Sequence, residues 1–234
     1  MYQKEAKISL YTFAIASITF LIAKILDMEL LELLVKPIII PSIFFYYLLT
    51  KKVNLNFLFS FIFLMFFIGD MMIMVFSSSF MSIILIPFMT AYVILIKFSL
   101  EDINFKIKNK NTFLYSIILF GFLSLILYYI LDLPVDKVIT NNALFFVYGL
   151  LLISLVTIST YIYLNNSNFN TLNLLLMAIS MLVSDLLYCI NEFIFSSSII
   201  DGLNLIAQFI SYFLMIEYFN SRVFQNSKLL FKKI

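Results

Sequence analysis

The stretch Asn56–Phe76, NFLFSFIFLMFFIGDMMIMVF, decides how this chain is read. It is long enough to cross a lipid bilayer, which takes about 20 mainly apolar residues in a helix. It carries a single charge, Asp70. Placing a carboxylate near the middle of such a helix costs about 2.5–3.5 kcal/mol on insertion scales, so an acid retained there points to function. Seven further apolar runs flank this one, at 8–26, 34–50, 80–98, 112–131, 142–164, 170–193 and 199–219. The pattern predicts an all-α, polytopic membrane protein with eight transmembrane helices, forming one integral membrane domain over 1–234.

Composition agrees. The 234 residues are 63% hydrophobic and 12% charged, with a mean hydropathy of +1.07, too few charges to solvate a globule of this size. A net charge of +2 is too small to imply nucleic acid, and no loop suggests a soluble protein partner. Histidine is absent and Cys189 is the only cysteine. That excludes a Ser-His-Asp triad, a Cys-His pair, a histidine-ligated zinc and an internal disulfide. Among four glycines there is no GxxxxGK[ST] or GxGxxG string to cradle a nucleotide phosphate. No cofactor is expected. No metal is expected either, because the intramembrane carboxylates are a thin shell for Mg2+ or Ca2+.

Basic residues set the expected orientation, since retained cytoplasmic loops carry the excess of Lys and Arg. With the N-terminus inside, twelve of the fifteen basic residues are cytoplasmic: Lys4, Lys7, Lys51, Lys52, Lys97, Lys106, Lys108, Lys110, Arg222, Lys228, Lys232 and Lys233. Only Lys24, Lys36 and Lys137 fall outside. Both termini are therefore expected in the cytoplasm, with the protein in a bacterial inner membrane. The first span is not expected to be a cleaved signal, because Ile22-Ala23-Lys24-Ile25 lacks a small-x-small site. Lys36-Pro37 is read as the opening of the second helix, where proline is tolerated. Short connections are expected at 77–79, 165–168 and 196–198, and the polar stretch 101–111 divides the spans into two groups of four.

A second intramembrane acid, Asp185, lies in Ser184-Asp185-Leu186-Leu187, as Asp70 lies in Gly69-Asp70-Met71-Met72. The two are 115 positions apart, each in the third helix of its group. This spacing suggests two parallel four-helix halves, 1–100 and 112–234. Ser184, Asp185, Tyr188, Asn191 and Glu192 form a polar strip on the seventh helix, and Asn204, Gln208 and Ser211 another on the eighth. Both strips are expected to face a cavity. The competing readings are packing hydrogen bonds for the acids and Gln208, snorkelling for Lys36, and simple solvation for Glu192.

Lys36-Pro37, Gly69-Asp70, Ser184-Asp185 and Ala207-Gln208, in this order, resemble the YhhN, or lysoplasmalogenase, family of eight-helix membrane proteins. The resemblance extends over nearly the whole chain. It implies hydrolysis of the vinyl ether bond of lysoplasmalogens to a fatty aldehyde and a glycerophospho-base, with Asp70 and Asp185 as the catalytic pair and membrane lipid as the surroundings. Many of these proteins carry a histidine three residues before a tyrosine in the fourth helix. Here Tyr92 is present and Met89 takes the histidine's place.

Carboxylates suit that reaction, because vinyl ethers hydrolyse by protonation at carbon and capture of the resulting oxocarbenium ion by water. The sequence leaves open which aspartate is acid and which is base. In this reading Lys36, Tyr188 and Gln208 contact the polar part of the lysophospholipid substrate, Lys36 through its phosphate. The alternatives are a proton- or cation-coupled carrier of a small solute, or a lipid-binding membrane protein without activity.

Overall fold

A computed structural model describes residues 2–51, 56–76, 81–103, 110–132 and 142–231. Among them are eight helices: α1 (Tyr2–Ile25), α2 (Glu29–Thr50), α3 (Phe57–Val75), α4 (Met81–Glu101), α5 (Lys110–Leu131), α6 (Asn142–Asn165), α7 (Phe169–Phe193) and α8 (Ser198–Phe231). Each contains a segment long and apolar enough to cross a membrane. The chain is thus an all-α, polytopic integral membrane protein. Helices are the open-ended answer to a solvent without hydrogen-bonding partners, because every backbone bond closes within the segment. The same need governs their hydroxyls: Ser99 donates to the Leu95 carbonyl at 2.9 Å and Ser159 to that of Leu155 at 2.6 Å. The connection at 77–79, most of the polar stretch 101–111, and Lys52, Lys106, Lys108, Lys137, Lys232 and Lys233 lie outside the described residues.

Local signals explain several boundaries. Asn56 caps α3 by accepting from the Leu58 N–H at 3.0 Å. Asn168 and Thr171 form a reciprocal capping box at the start of α7, with bonds of 2.9 and 3.1 Å. The tight turn from α1 into α2 uses Asp27 at φ 52°, a left-handed conformation that aspartate tolerates better than most residues.

Three boundaries differ from the sequence reading. α2 begins at Glu29 rather than 34, so Pro37 and Pro41 lie inside it and Lys36-Pro37 does not open it. Residues Glu29–Leu34 are themselves good helix formers, and proline is tolerated within membrane helices because surrounding groups re-satisfy the freed carbonyls. α1 starts at Tyr2 instead of 8. α8 continues to Phe231, well past its candidate span, which ends at Arg222.

Packing contacts trace a closed ring in the order α1, α2, α3, α4, α6, α7, α8 and back to α1, with α2 also touching α8. α5 lies outside the ring against α6 and has the least buried of the eight spans. Gly149 permits that approach: a Cβ there would lie 2.5 Å from a methyl of Leu127. At one end of the ring, aromatic side chains fill the centre. Phe59 stacks on Phe219 with ring centroids 4.1 Å apart, and Phe98 meets Phe59 edge-on at 4.6 Å. Arg222 of α8 closes this end by donating to Asp102 at 2.8 Å and Glu101 at 2.7 Å, while the Tyr218 hydroxyl donates to Asp102 at 2.7 Å. The opposite end, where α1, α3, α5 and α7 finish, holds a recess among the described residues.

Candidate active site

A cavity of about 540 Å³ enters the ring from the end where α1, α3, α5 and α7 finish. Its walls include both polar strips: Ser184, Asp185, Tyr188, Asn191 and Glu192 from α7, and Asn204, Gln208 and Ser211 from α8. Helical spacing puts each strip on one face, and α7 and α8 pack together so that the two faces meet. Ser184 donates to the Asn204 side-chain carbonyl at 2.7 Å, joining them.

Asp185 is half-buried in the cavity wall. One of its oxygens, Oδ2, accepts from the Tyr148 hydroxyl of α6 at 2.5 Å and from the Tyr92 hydroxyl of α4 at 3.0 Å. The two hydroxyls are 3.3 Å apart. Three helices therefore fix one carboxyl oxygen, while Oδ1 has no such donor among the described residues.

Asp70 is 1% exposed and lies one layer behind the wall. Its Oδ2 accepts from the Tyr212 hydroxyl at 2.9 Å, and its Oδ1 from the Gln208 amide at 2.9 Å. The Lys36 ammonium stands 3.8 Å from Oδ2 and 3.5 Å from the Gln208 carbonyl oxygen. Phe20 and Phe209 hold the same ammonium over their ring faces, with centroids at 4.7 and 5.9 Å. The α2 boundary explains this arrangement. With the helix starting at Glu29, Lys36 sits in its second turn, 6% exposed, instead of snorkelling at its end.

The structure gathers Lys36, Asp185, Tyr188 and Gln208 on the cavity wall, and it brings Asp70 to the back of Lys36, Gln208 and Tyr212. The two carboxyls use separate sets of donors among the described residues. Phe66 lies between the sets, its ring 6.1 Å from that of Tyr92 and 5.6 Å from that of Tyr212. Gly69, beside Asp70, makes room for Phe88, since a Cβ would meet that ring at 2.6 Å. Met89 packs among Leu85, Phe145 and Cys189, beside the cavity.

Sequence reasoning missed Tyr148 and Tyr212 altogether. Tyr212 follows Gln208 by four residues and so shares its helix face, a readable signal. Tyr148 had none, because its partner lies on another helix. The ion pairs of the rim were also missed: Lys24 bridges Glu32 at 3.4 Å and Asp201 at 3.9 Å, with Glu29 nearby and Glu192 of the expected polar strip beside them. Among the described residues, no group of three or more Cys, Asp or Glu is placed to hold a metal ion.

The site separates two carboxyls by their company. Asp70 has a cation and is shielded from the cavity. Asp185 faces the cavity with the Tyr92 and Tyr148 hydroxyls as its hydrogen-bond partners among the described residues, an arrangement able to pass a proton to a bound molecule. Compared with known proteins, the chain matches no family model, no curated protein and no solved structure.

Proposed function

We propose that the protein is a membrane-embedded hydrolase of single-chain vinyl ether phospholipids, a lysoplasmalogenase-like enzyme of the YhhN type. The observation that carries this reading is Asp185, a carboxyl presented to a cavity with one oxygen held by Tyr92 and Tyr148 and the other without such a donor among the described residues. The family resemblance supplies the substrate class. By the count of basic residues, the cavity mouth faces the outer side of the membrane.

In this mechanism Asp185 carries the proton on its open oxygen and delivers it to the vinyl carbon remote from the ether oxygen. The resulting oxocarbenium ion lies against the Asp185 carboxylate, which stabilises it. Water adds to the carbon that bears the oxygen and yields its proton to Asp185, restoring the acid. The hemiacetal then breaks its bond to the glycerol oxygen, which takes up the hemiacetal hydroxyl proton. Fatty aldehyde and glycerophospho-base leave. Asp70 works through the wall: it fixes Gln208 and Tyr212 and compensates the charge of Lys36. Lys36, Gln208 and Tyr188 in turn contact the glycerophosphate.

The test is product analysis on protein purified in nanodiscs, offered a lysoplasmalogen and, separately, an ester lysophospholipid. Aldehyde from the first, and no fatty acid from the second, is the expected result. Asp185→Asn abolishes aldehyde release while the helical fold is retained. Wild-type turnover by this variant, or no aldehyde from the unaltered protein, overturns the proposal.

A further inference from the structure

A second recess reaches Asp185 from the side. It is a narrow crevice between α5, α6 and α7, lined mainly by aliphatic side chains including Leu123 and Leu127 of α5, Leu152 of α6 and Leu182 of α7. Phe145, Tyr148, Asp185 and Cys189 line both this crevice and the polar cavity, so the two meet at the carboxyl. α5 and α7 each pack on α6, and packing between α5 and α7 is slight or absent, so among the described residues the crevice is unclosed between them, on the flank of a bundle whose helices span a membrane. It follows α5 from Leu123 to Ile130, about 10 Å at 1.5 Å per residue.

We propose that this crevice seats the hydrocarbon chain of a single-chain amphiphile that enters from the lipid phase and places its polar head in the cavity. The inference rests on the hydrolase reading for the identity of the head, and on the shared lining residues for the seat itself. A chain lying in the crevice with its head in the cavity puts the junction between them, where a vinyl ether lies, against Asp185. The crevice as it stands holds only about 50 Å³, so α5 yields as the chain enters. α5 is outside the ring, and exchanging the contacts of its Leu127 with α6 for contacts with lipid carries no hydrophobic penalty, because lipid tails are as apolar as leucine.

The chain contains no tryptophan, so a single introduced indole reports its own surroundings. Leu123→Trp places it in the crevice, and Leu125→Trp places it on the lipid-facing side of α5, where Leu125 is 60% exposed. The probe is a non-hydrolysable alkyl-ether lysophospholipid brominated along its chain, added to nanodiscs, with the chain-free glycerophospho head as control. Saturable quenching at position 123, competed by the unbrominated amphiphile, is expected, with only partition-like quenching at 125. Indistinguishable quenching at the two positions overturns the seat. As a second readout, Leu127→Trp fills the crevice and lowers kcat/KM for long-chain substrate by about tenfold or more relative to short-chain substrate; an equal effect on both also overturns it. Saturable quenching without aldehyde release sinks the hydrolase and keeps the seat. Aldehyde release with equal quenching does the reverse.

Discussion

Lys36 and Asp70 make a buried ion pair whose worth can be measured by removing each partner alone and then both together. At 3.8 Å, with an effective dielectric constant of about 20, two unit charges attract by about 4 kcal/mol. Lys36→Met leaves the Asp70 carboxylate with the Tyr212 and Gln208 donors but no cation, at a cost of about 3–5 kcal/mol. Asp70→Asn strands the ammonium less severely, because Phe20 and Phe209 continue to face it and such desolvated contacts contribute about 2 kcal/mol. A loss of about 2–4 kcal/mol follows for that variant. The double variant buries no charge at this position and is expected to lose only about 1–2 kcal/mol, which with these single losses gives a coupling energy of about 3–8 kcal/mol, centred near 5. Unfolding of all four proteins in mixed micelles titrated with SDS, followed by circular dichroism, gives the cycle. Single-variant losses that add to within about 0.5 kcal/mol would show that the lysine is not the counterion of the aspartate.

Removing hydroxyls around Asp185 tests the chemistry. Tyr148→Phe should slow aldehyde release by about 10- to 100-fold, the effect of losing a hydrogen bond of about 1.5–3 kcal/mol to a charged group. Tyr92→Phe should do less, and the double variant should fall short of the product of the two effects, because the hydroxyls are also near one another; an unchanged rate in Tyr148→Phe refutes its role. Gly69→Ala pushes a methyl into the Phe88 ring and should destabilise by about 1–3 kcal/mol, checked by the same SDS titration. Arg222→Gln should lower stability by about 2–3 kcal/mol without altering KM, and a changed KM would couple the closed end of the bundle to the site.

The apolar runs made the eight helices legible, because about 20 uninterrupted apolar residues have few other fates. Ends were harder to read. Lys36-Pro37 resembles a helix start, yet the helix-forming segment before it carries α2 back to Glu29 and moves Lys36 into the interior. In an aqueous helix the two prolines would have been strong evidence for a break; between neighbouring helices they are accommodated. Both acids and both polar strips were visible as departures from an apolar background. The tyrosines that hold the acids were less so: Tyr212 is readable only by its place four residues after Gln208, and Tyr148 is unremarkable among 14 tyrosines until α6 is placed beside α7. Spacing along the chain finds a helix face, but partners on different helices become visible only through packing.

The distribution of rigidity bears on the choice between hydrolase and carrier. A carrier must open the site to each side of the membrane in turn. Here the end away from the cavity is filled by Phe59, Phe98 and Phe219, each no more than 2% exposed, and α8 is tied across it to the end of α4 by Arg222 and Tyr218. Opening that end would separate stacked rings and unpair a buried guanidinium, both costly in an apolar surrounding. The recesses lie elsewhere, at the mouth and along α5, which stands outside the ring against α6. A molecule that arrives from the mouth side or from the adjoining lipid meets Asp185 without any demand on the sealed end, and its products can return the same way. Entry and exit on one side are all that the proposed hydrolase requires, whereas a carrier would have to open the end that Phe59, Phe98, Phe219 and Arg222 fill.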